Sequence, residues 1–365
     1  MTSLPKLPLL EPRADTLEKC VYCPKLCRAA CPVSNAEPVE TLTPWGKMSM
    51  AYFAARGDVE IDPLHAEPAW ACTGCLGCRE RCDHKNEVAS TLTLARGELY
   101  ARGVAPAGAV RAQEIALRRE PDVAEAARAV DGGAGKDARV VLVVGCGYLL
   151  HHQTVARQAK AVTEKLLGQP VRVATRCCGL SSLEAGDTAS FRKRAQAMAE
   201  EIGSAEEVVV VDPGCARAMM TDYPAAEVTI KPPRLLVDVA HDALARFSTL
   251  GEAPPRYHDP CRLGRGLGRY EQPRALLEKI AGAPPAEFER NRGRADCSGG
   301  GGLVPLTFPD ASRGAASARA AEHERLGGGT VVTACAASLR RLQTVGADAE
   351  DLVTWLARGL GVGTE

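Results

Sequence analysis

At 365 residues, the chain is long enough for two or three domains with cores of their own. Its 45 basic residues are balanced by 45 acidic ones and aromatic residues make up 4%, so no surface for nucleic acid is indicated. The N-terminal residues contain no apolar signal segment, and the apolar stretch at 140–150 is too short to span a bilayer. We therefore expect no transmembrane segment and no nucleic-acid partner. We also expect a cytoplasmic location, either free in the cytoplasm or peripheral on the inner face of the cytoplasmic membrane.

The predicted elements begin with an extended N-terminal arm at residues 1–16. Residues 17–108 contain two dense runs of cysteine and two segments of helical character, 45–56 and 87–99. Residues 109–137 are rich in Ala, Arg and Glu and predict a helical linker. The first part of the fold is thus predicted to be an α-helical domain built around the cysteine runs.

The pattern changes after residue 138, where an apolar, β-branched run predicts a buried parallel strand. Helical and strand patterns then alternate, and the same order repeats from about residue 255. We therefore predict two copies of one α/β domain, residues 138–250 and 251–365, each with a parallel sheet covered by helices. Because ligands bind at the carboxyl ends of parallel strands, the cysteines that follow the strands are expected to converge there.

Fifteen cysteines are present, although no secretion signal is recognised. Cytosolic thiols are kept reduced, so metal or cluster ligation is favoured over a disulfide framework. Eight of the thiols lie in two groups of four. The first run is Cys20, Cys23, Cys27 and Cys31, and the second run is Cys72, Cys75, Cys78 and Cys82.

The second run has the spacing of a bacterial two-cluster ferredoxin, and the first differs from it by one inserted residue. In such ferredoxins the fourth cysteine of each run binds the cluster of the other run. Cluster I is therefore predicted on Cys20, Cys23, Cys27 and Cys82. Cluster II is predicted on Cys72, Cys75, Cys78 and Cys31. Two [4Fe–4S] clusters are the expected cofactors, and two Cys₄ zinc sites are the alternative.

The remaining cysteines stand in motifs that resemble a known family. Cys177-Cys178-Gly179, followed by a loop ending in Cys215, looks like one cysteine-rich CCG domain. The motifs around Cys261, Cys297 and Cys335 look like a second one. This order resembles the iron–sulfur proteins of the heterodisulfide reductase D-subunit type. Their relatives include the iron–sulfur subunits of glycolate oxidase, glycerol-3-phosphate dehydrogenase and lactate-utilisation systems.

The resemblance implies five cysteine ligands in each CCG domain, a number that neither copy reaches. Copy one keeps Cys146, Cys177, Cys178 and Cys215, whereas Ala218 stands at the fifth position. These four thiols suit a further Fe–S cluster or a zinc ion.

Copy two keeps Cys261, Cys297 and Cys335, with Asp296 and Ser338 at the other two positions. Iron also accepts a carboxylate ligand, so Asp296 is a candidate fourth ligand. The alternative for either copy is a site without metal, whose cysteines act as small buried apolar side chains.

The Gly299–Gly302 run is interpreted as allowing backbone to approach a cluster closely, with anion binding as the alternative.

The resemblance implies an iron–sulfur electron-transfer subunit of an oxidoreductase. It would relay electrons from a flavoprotein dehydrogenase or oxidase to a quinone, a membrane cytochrome or another carrier. No dinucleotide-binding motif is visible, so flavin and NAD are expected on a partner rather than on this chain. Two alternatives stay open: a disulfide reductase of the heterodisulfide type, and a ferredoxin module with a non-redox docking half.

Overall fold

The computed structural model describes residues 4–133 and 138–363, which form two compact units. The first unit contains the chain up to Leu117 together with Ser181–Phe191 and Gly293–Ala321. The second unit contains Arg118–Leu180, Arg192–Arg292 and the chain from Glu322 onwards. The predicted domain limits follow the sequence repeats, whereas the units follow packing, so two segments of the predicted α/β copies belong to the first unit.

The α-helices of the described residues are labelled in chain order. They are α1 Ala14–Val21, α2 Pro32–Ala36, α3 Pro44–Arg56, α4 Pro63–Ala66, α5 Gly77–Glu80, α6 Val88–Ala101, α7 Ala107–Arg118, α8 Glu120–Asp131, α9 Cys146–His151, α10 Gln153–Leu167, α11 Leu180–Ala185, α12 Thr188–Ile202, α13 Pro213–Arg217, α14 Tyr223–Ala225, α15 Leu236–Asp242, α16 Glu271–Ala281, α17 Val304–Thr307, α18 Pro309–Arg325, α19 Ala336–Thr344 and α20 Leu352–Gly359. None of these helices is long and apolar enough to cross a membrane.

The first unit is helical and has its main core around α3, α6 and Trp70. The prediction of an extended arm is wrong for the described part of residues 1–16, which forms a 3₁₀-helix at Pro8–Arg13 and then enters α1. The cause is the spacing of Leu4, Leu7 and Leu10. These side chains recur every third residue and are completely buried in the same core.

Helix α3 is the central helix of this unit and begins and ends at clear sequence signals. The Thr43 hydroxyl accepts a hydrogen bond from the Gly46 amide at 3.0 Å, and Pro44 occupies the first turn. Gly57 ends the helix in the left-handed conformation with φ of 88°. The helix predicted over 45–56 is therefore present.

The helical segment predicted over 87–99 is also present, as α6. The predicted linker over 109–137 contains two helices, α7 and α8, rather than one, with a break at Arg119 before Pro121. Residues 134–137 of that linker lie outside the described part of the chain.

The second unit contains two parallel sheets of the same topology. Their strands are β1 Val140–Val143, β2 Val171–Val173, β3 Glu207–Val210, β4 Arg234–Leu235, β5 Arg256–Tyr257, β6 Ala286–Glu287, β7 Val331–Thr333 and β8 Ala349–Asp351. The strand orders are β2-β1-β3-β4 and β6-β5-β7-β8, and every pairing is parallel. The prediction of a helical region followed by two repeated α/β domains is confirmed.

The two copies of the α/β domain pack directly on each other within this unit. Helix α10 of the first copy contacts α20 of the second, and α15 contacts α16. The strands β1 and β7 are fully buried, as expected for parallel strands covered on both faces.

Candidate metal centres

A cavity lies among the thiols of Cys20, Cys23, Cys27 and Cys82 in the first unit. We call it the first cavity. Three of these cysteines come from the first run, and Cys82 is the last residue of the second run. The cysteines are only partly buried.

Burial and crowding of thiols set the chemistry of the first cavity. Burial raises the pKa of Cys20 to about 11. The Asn86 amide donates a hydrogen bond to the Cys20 sulfur at 3.2 Å, which lowers this pKa by a smaller amount. Burial and the neighbouring cysteines raise the pKa of Cys27 to about 12. Such thiols lose their protons to solvent when a strong Lewis acid such as iron or zinc binds their sulfur.

The rim of the first cavity carries a lysine and a tryptophan. The Lys25 ammonium lies 3.8 Å from the centre of the Trp45 ring and 3.1 Å from a Glu40 carboxylate oxygen. The Trp45 indole donates to the Val21 carbonyl at 2.9 Å, which fixes the ring beside α1.

A second cavity of similar size lies among Cys31, Cys72, Cys75 and Cys78, also in the first unit. Here the contribution is reversed, because Cys31 ends the first run and the other three belong to the second. Cys31 and Cys75 are buried. Burial raises the pKa of Cys72, and burial with neighbouring thiols raises that of Cys78 well above its ordinary value.

Two buried cations stand beside the second cavity. The Lys47 ammonium donates to the Cys31 sulfur at 3.3 Å. The Arg96 guanidinium donates to the carbonyl oxygens of Ala69 and Cys72, both at 2.8 Å. Both cations lower the pKa of Cys72 against the larger effect of burial.

The two cavities adjoin. Pro44, Cys78 and Val88 line both of them. The first turn of α3 lies between them, with Trp45 facing the first cavity and Lys47 the second. A Cβ atom on Gly46 would lie 2.3 Å from the Glu40 carbonyl oxygen, so only glycine fits this tight turn.

The donor sets fit the predicted cofactors. With Cys78 counted at the second cavity, four thiols remain for each cavity, and four cysteine ligands are what a [4Fe–4S] cluster takes. Among residues 4–133 and 138–363, no three His, Cys, Asp or Glu side chains are close enough to hold a single metal ion.

A third set of thiols lies in the second unit, where loops of the first α/β copy meet. Cys146 starts α9 directly after β1, and Cys215 lies in α13 after β3. The sulfurs of Cys146 and Cys177 are 3.9 Å apart, and Cys178 contacts both Cys177 and Cys215. The structure therefore brings together all four thiols predicted for this copy.

Contacts between these thiols raise the pKa of two of them and lower the pKa of a third. Contact with the Cys177 sulfur raises the pKa of Cys146, and contact with Cys177 and Cys215 raises that of Cys178. Hydrogen bonds from Cys146 and Cys178 lower the pKa of Cys177. A thiolate at Cys177 supported by its neighbours is an electron-rich starting point for binding a metal.

Polar contacts hold the loops of this third set. The Glu201 carboxylate accepts from the Thr175 amide at 2.7 Å and the Arg176 amide at 2.9 Å, just before Cys177. The Tyr223 hydroxyl donates to the Cys178 carbonyl at 3.0 Å. The cysteines are thus positioned by their own α/β copy.

The four residues predicted for copy two belong to different units. Cys261 and Cys335 are in the second unit, where Cys335 directly precedes α19. Burial raises the pKa of Cys335, and the neighbouring Asp212 and Cys261 raise it further. Asp296 and Cys297 are in the first unit. There the buried Cys297 thiol lies 3.7 Å from the hydroxyl of Thr73, a residue of the second cavity's lining.

A buried polar link joins the two α/β copies beside the thiols. The Asp212 carboxylate accepts from the Gly214 amide at 2.8 Å and from the Ala336 amide at 3.3 Å, so it caps one helix of each copy. The Tyr148 hydroxyl donates to Asp351 at 2.7 Å. Burial raises the pKa of Asp351 to about 7.

Two family models match parts of this chain. A family model described as a 4Fe-4S dicluster domain matches residues 16–86. A second, described as a cysteine-rich domain, matches twice, at 140–220 and 256–339. The chain is an iron–sulfur protein with one dicluster domain and two cysteine-rich CCG domains. The resemblance predicted from the order of the motifs is confirmed.

Three known proteins are similar to this chain over most of its length. It is 24% identical to the D-subunit of the dihydromethanophenazine:CoB–CoM heterodisulfide reductase of Methanosarcina barkeri over 95% of each chain. It is 24% identical to the B-subunit of the fumarate reductase (CoM/CoB) of Methanothermobacter marburgensis, over 87% of this chain and 66% of the relative. It is 26% identical to the EtfAB:quinone oxidoreductase of Syntrophomonas wolfei, over 66% and 37% respectively. These relatives are oxidoreductases or subunits of them.

Sequence reasoning missed several residues around the thiols of the dicluster and CCG domains. Lys47 left a signal, because it is the single charged residue between Glu40 and Arg56. Asn86 and Asp351 left none, since single polar residues of these types are too common to stand out.

Proposed function

We propose that the chain is the electron-transfer subunit of an oxidoreductase complex, which receives electrons from a flavoprotein dehydrogenase and passes them to a quinone or another carrier. The arrangement that supports this best is the pair of adjoining cavities, which are lined by the eight cysteines of the two runs. Two redox centres that share a wall exchange electrons quickly, which is what a relay requires.

We propose Cys20, Cys23, Cys27 and Cys82 as ligands of cluster I. We propose Cys31, Cys72, Cys75 and Cys78 as ligands of cluster II. When bound, the clusters supply one-electron redox chemistry. The protein's part is to hold the thiolates, to exclude water and to set the electrostatic field with Lys47, Arg96 and Asn86.

The first cavity is proposed as the side that meets the redox partner. Its cysteines are partly exposed, and two apolar side chains beside them point outward: Tyr22 is 75% exposed and Leu26 is 60% exposed. Apolar residues left in water beside a redox centre favour a docking surface.

The four thiols of the first CCG domain are proposed as ligands of a further Fe–S cluster; a zinc ion, the alternative, would require the thiols to lie closer together than they do. A centre on Cys261, Asp296, Cys297 and Cys335 stays a prediction. A cytoplasmic location is proposed, because cysteines that serve as cluster ligands stay reduced there.

Reduction of a disulfide on this chain is the less supported alternative. The relatives named heterodisulfide reductase speak for it. However, buried Ala218 and buried Ser338 stand where that family is expected to have its fifth cysteine ligands, and neither side chain supplies a thiolate.

The ligand assignment is tested by removing one thiol from each cavity of the full chain, purified without oxygen. We expect Cys75→Ala to lose the electron paramagnetic resonance (EPR) signal of cluster II and about four of about eight iron atoms, because a cubane needs four ligands. Cys23→Ala is the matched control and should lose the signal of cluster I instead.

Two results would contradict the assignment. One is the survival of both signals in Cys75→Ala; the other is the loss of the same signal in both variants. Zinc in place of iron in anaerobically purified wild-type protein would overturn the redox function itself.

A further inference from the structure

Lys47 is a buried cation aimed at the sulfurs of the second cavity. Its side chain is 2% exposed, and its ammonium lies 3.3 Å from the Cys31 sulfur. Among the residues that the structure describes, no carboxylate forms an ion pair with it. An ammonium without a counter-ion is costly to bury, so its partner has to be negative charge inside the cavity.

Arg96 adds a second positive charge on the same side. Its guanidinium is buried and held by carbonyl oxygens, one of which belongs to Cys72 itself. Both cations therefore lie against proposed ligands of the second cavity, Lys47 at the Cys31 sulfur and Arg96 at the Cys72 carbonyl oxygen. Positive charge in these positions favours any added negative charge on a centre that these residues hold.

The first cavity has no equivalent cation among its described lining residues. Lys25 is the basic residue there, but its side chain is 36% exposed and paired with Glu40, which also pairs with Arg28 at 2.8 Å. Water screens a charge in that position and the carboxylate offsets it. The electrostatic field is therefore more positive in the second cavity than in the first, although both are lined by cysteine thiols.

We propose that Lys47 makes the site of cluster II the more easily reduced of the two and so sets the direction of transfer from the first cavity to the second. The inference rests on the proposed ligand assignment. The step moves one electron: the first site is oxidised, the second is reduced, and no bond forms or breaks. The electron comes from the flavoprotein partner. Lys47 acts as a positioning residue for charge and does not contact a substrate.

The test is an EPR-monitored redox titration of the full chain with both clusters, in which Cys75→Ala and Cys23→Ala identify the two signals. In Lys47→Met, which keeps the length of the side chain, we expect reduction of cluster II to become at least tenfold less favourable. A factor of ten corresponds to a fall of about 59 mV in its midpoint potential. Cluster I should change much less, and Lys47→Arg should restore most of the potential.

Lys25→Met is the matched control, because it removes a lysine beside the other cavity. It should leave the potential of cluster II unchanged. An unchanged cluster II in Lys47→Met, or an equal fall in both clusters, would overturn the inference.

If Lys47→Met fails to assemble cluster II, the neutral but polar Lys47→Gln takes its place, and the same two outcomes decide. Wild-type protein without two iron–sulfur signals would instead overturn the proposed function, so the two failures are distinguishable.

Discussion

Gly302 shows how a single residue ties the glycine-rich run to the second cavity. A Cβ atom at this position would lie 2.0 Å from the carbonyl oxygen of Cys72, and its φ of 65° is one that other residues rarely adopt. The observed close approach is to the backbone of Cys72, a proposed ligand, and the approach of the Gly299–Gly302 run to a cluster itself stays a prediction.

We expect Gly302→Ala to lower the free energy of unfolding by about 2–4 kcal/mol, because overpacking adds to backbone strain. The loop of Cys72 has to move, so the cluster II signal should broaden or disappear. Anaerobic urea denaturation and EPR measure the two effects.

The matched control is Gly361→Ala. Its φ of 61° imposes nearly the same strain, but nothing lies within 4 Å of the added Cβ. Equal destabilisation by the two substitutions would show that the contact with Cys72 carries no weight.

At the scale of residues, the sequence predicts best those sites that depend on the spacing of residues along the chain. The eight cysteines of the two runs stand at intervals that match a cluster, so their grouping was visible without a structure. Lys47 was not assigned a role, because nothing in its neighbours along the chain tells which way a lysine on α3 points. Its position depends on how α3 packs between the two loops of cysteines.

Asp351 works at the scale of elements, because it joins α9 to the start of α20. It accepts from the Tyr148 hydroxyl and from the Val353 amide at 2.9 Å, and Asp212 is the other carboxylate that raises its pKa. Its pKa of about 7 in the folded chain compares with an ordinary value of 3.8. The difference corresponds to about 4 kcal/mol between the limits of low and high pH.

The sign follows from which state holds the proton. Between pH 4 and 7 the unfolded chain loses this proton while the folded chain keeps it, so the free energy of unfolding falls as the pH rises. The contribution is fully present below pH 4 and is lost above pH 7. Asp351→Asn does not titrate, so its stability relative to wild type should rise by about 2 kcal/mol between pH 5.5 and 8.

Anaerobic urea denaturation at several pH values measures this difference. Asp348→Asn is the control, since Asp348 is exposed on the loop before β8 and the substitution removes the same carboxylate from the surface. A constant difference between Asp351→Asn and wild type across this range would contradict the prediction.

Elements could be predicted where the pattern is long enough to repeat. The continuous apolar run of β1 and the amphipathic pattern of α10 can be recognised in this way, whereas α3 is recognised by its ends, Pro44 and Gly57. The edge strands β4 and β8, of two and three residues, were not predicted, because so few positions show no period. They form because a neighbouring strand offers free backbone groups, which is a tertiary effect.

At the scale of the whole molecule, the duplication of the α/β domain was visible because motifs and elements repeat in the same order. The membership of the two units was not visible. Residues 293–321 lie within the second CCG repeat in sequence yet pack with the dicluster region. Buried contacts of Val304 and Ala311 with the core around Cys31 and Ala71 decide this, and no local pattern announces contacts so distant along the chain.

The last prediction concerns the metal content of the whole chain. If the four adjacent thiols of the first CCG domain hold a centre, wild-type protein should contain metal beyond the about eight irons of the dicluster domain. Cys215→Ser removes one of those thiols from α13 at a distance from both cavities along the chain. It should lose only the additional metal, about four irons for a further cluster or one zinc ion, and should keep both dicluster signals.

Elemental analysis for iron and zinc, together with EPR of the same anaerobic samples, separates these cases. Cys335→Ser, prepared in parallel, reports on copy two, where Asp296 and Ser338 replace thiolates. Because copy one offers four adjoining thiols of its own, we expect the larger loss from Cys215→Ser. Equal metal content in Cys215→Ser and wild type would mean that these cysteines are buried apolar side chains, and the relay would then be confined to the dicluster domain.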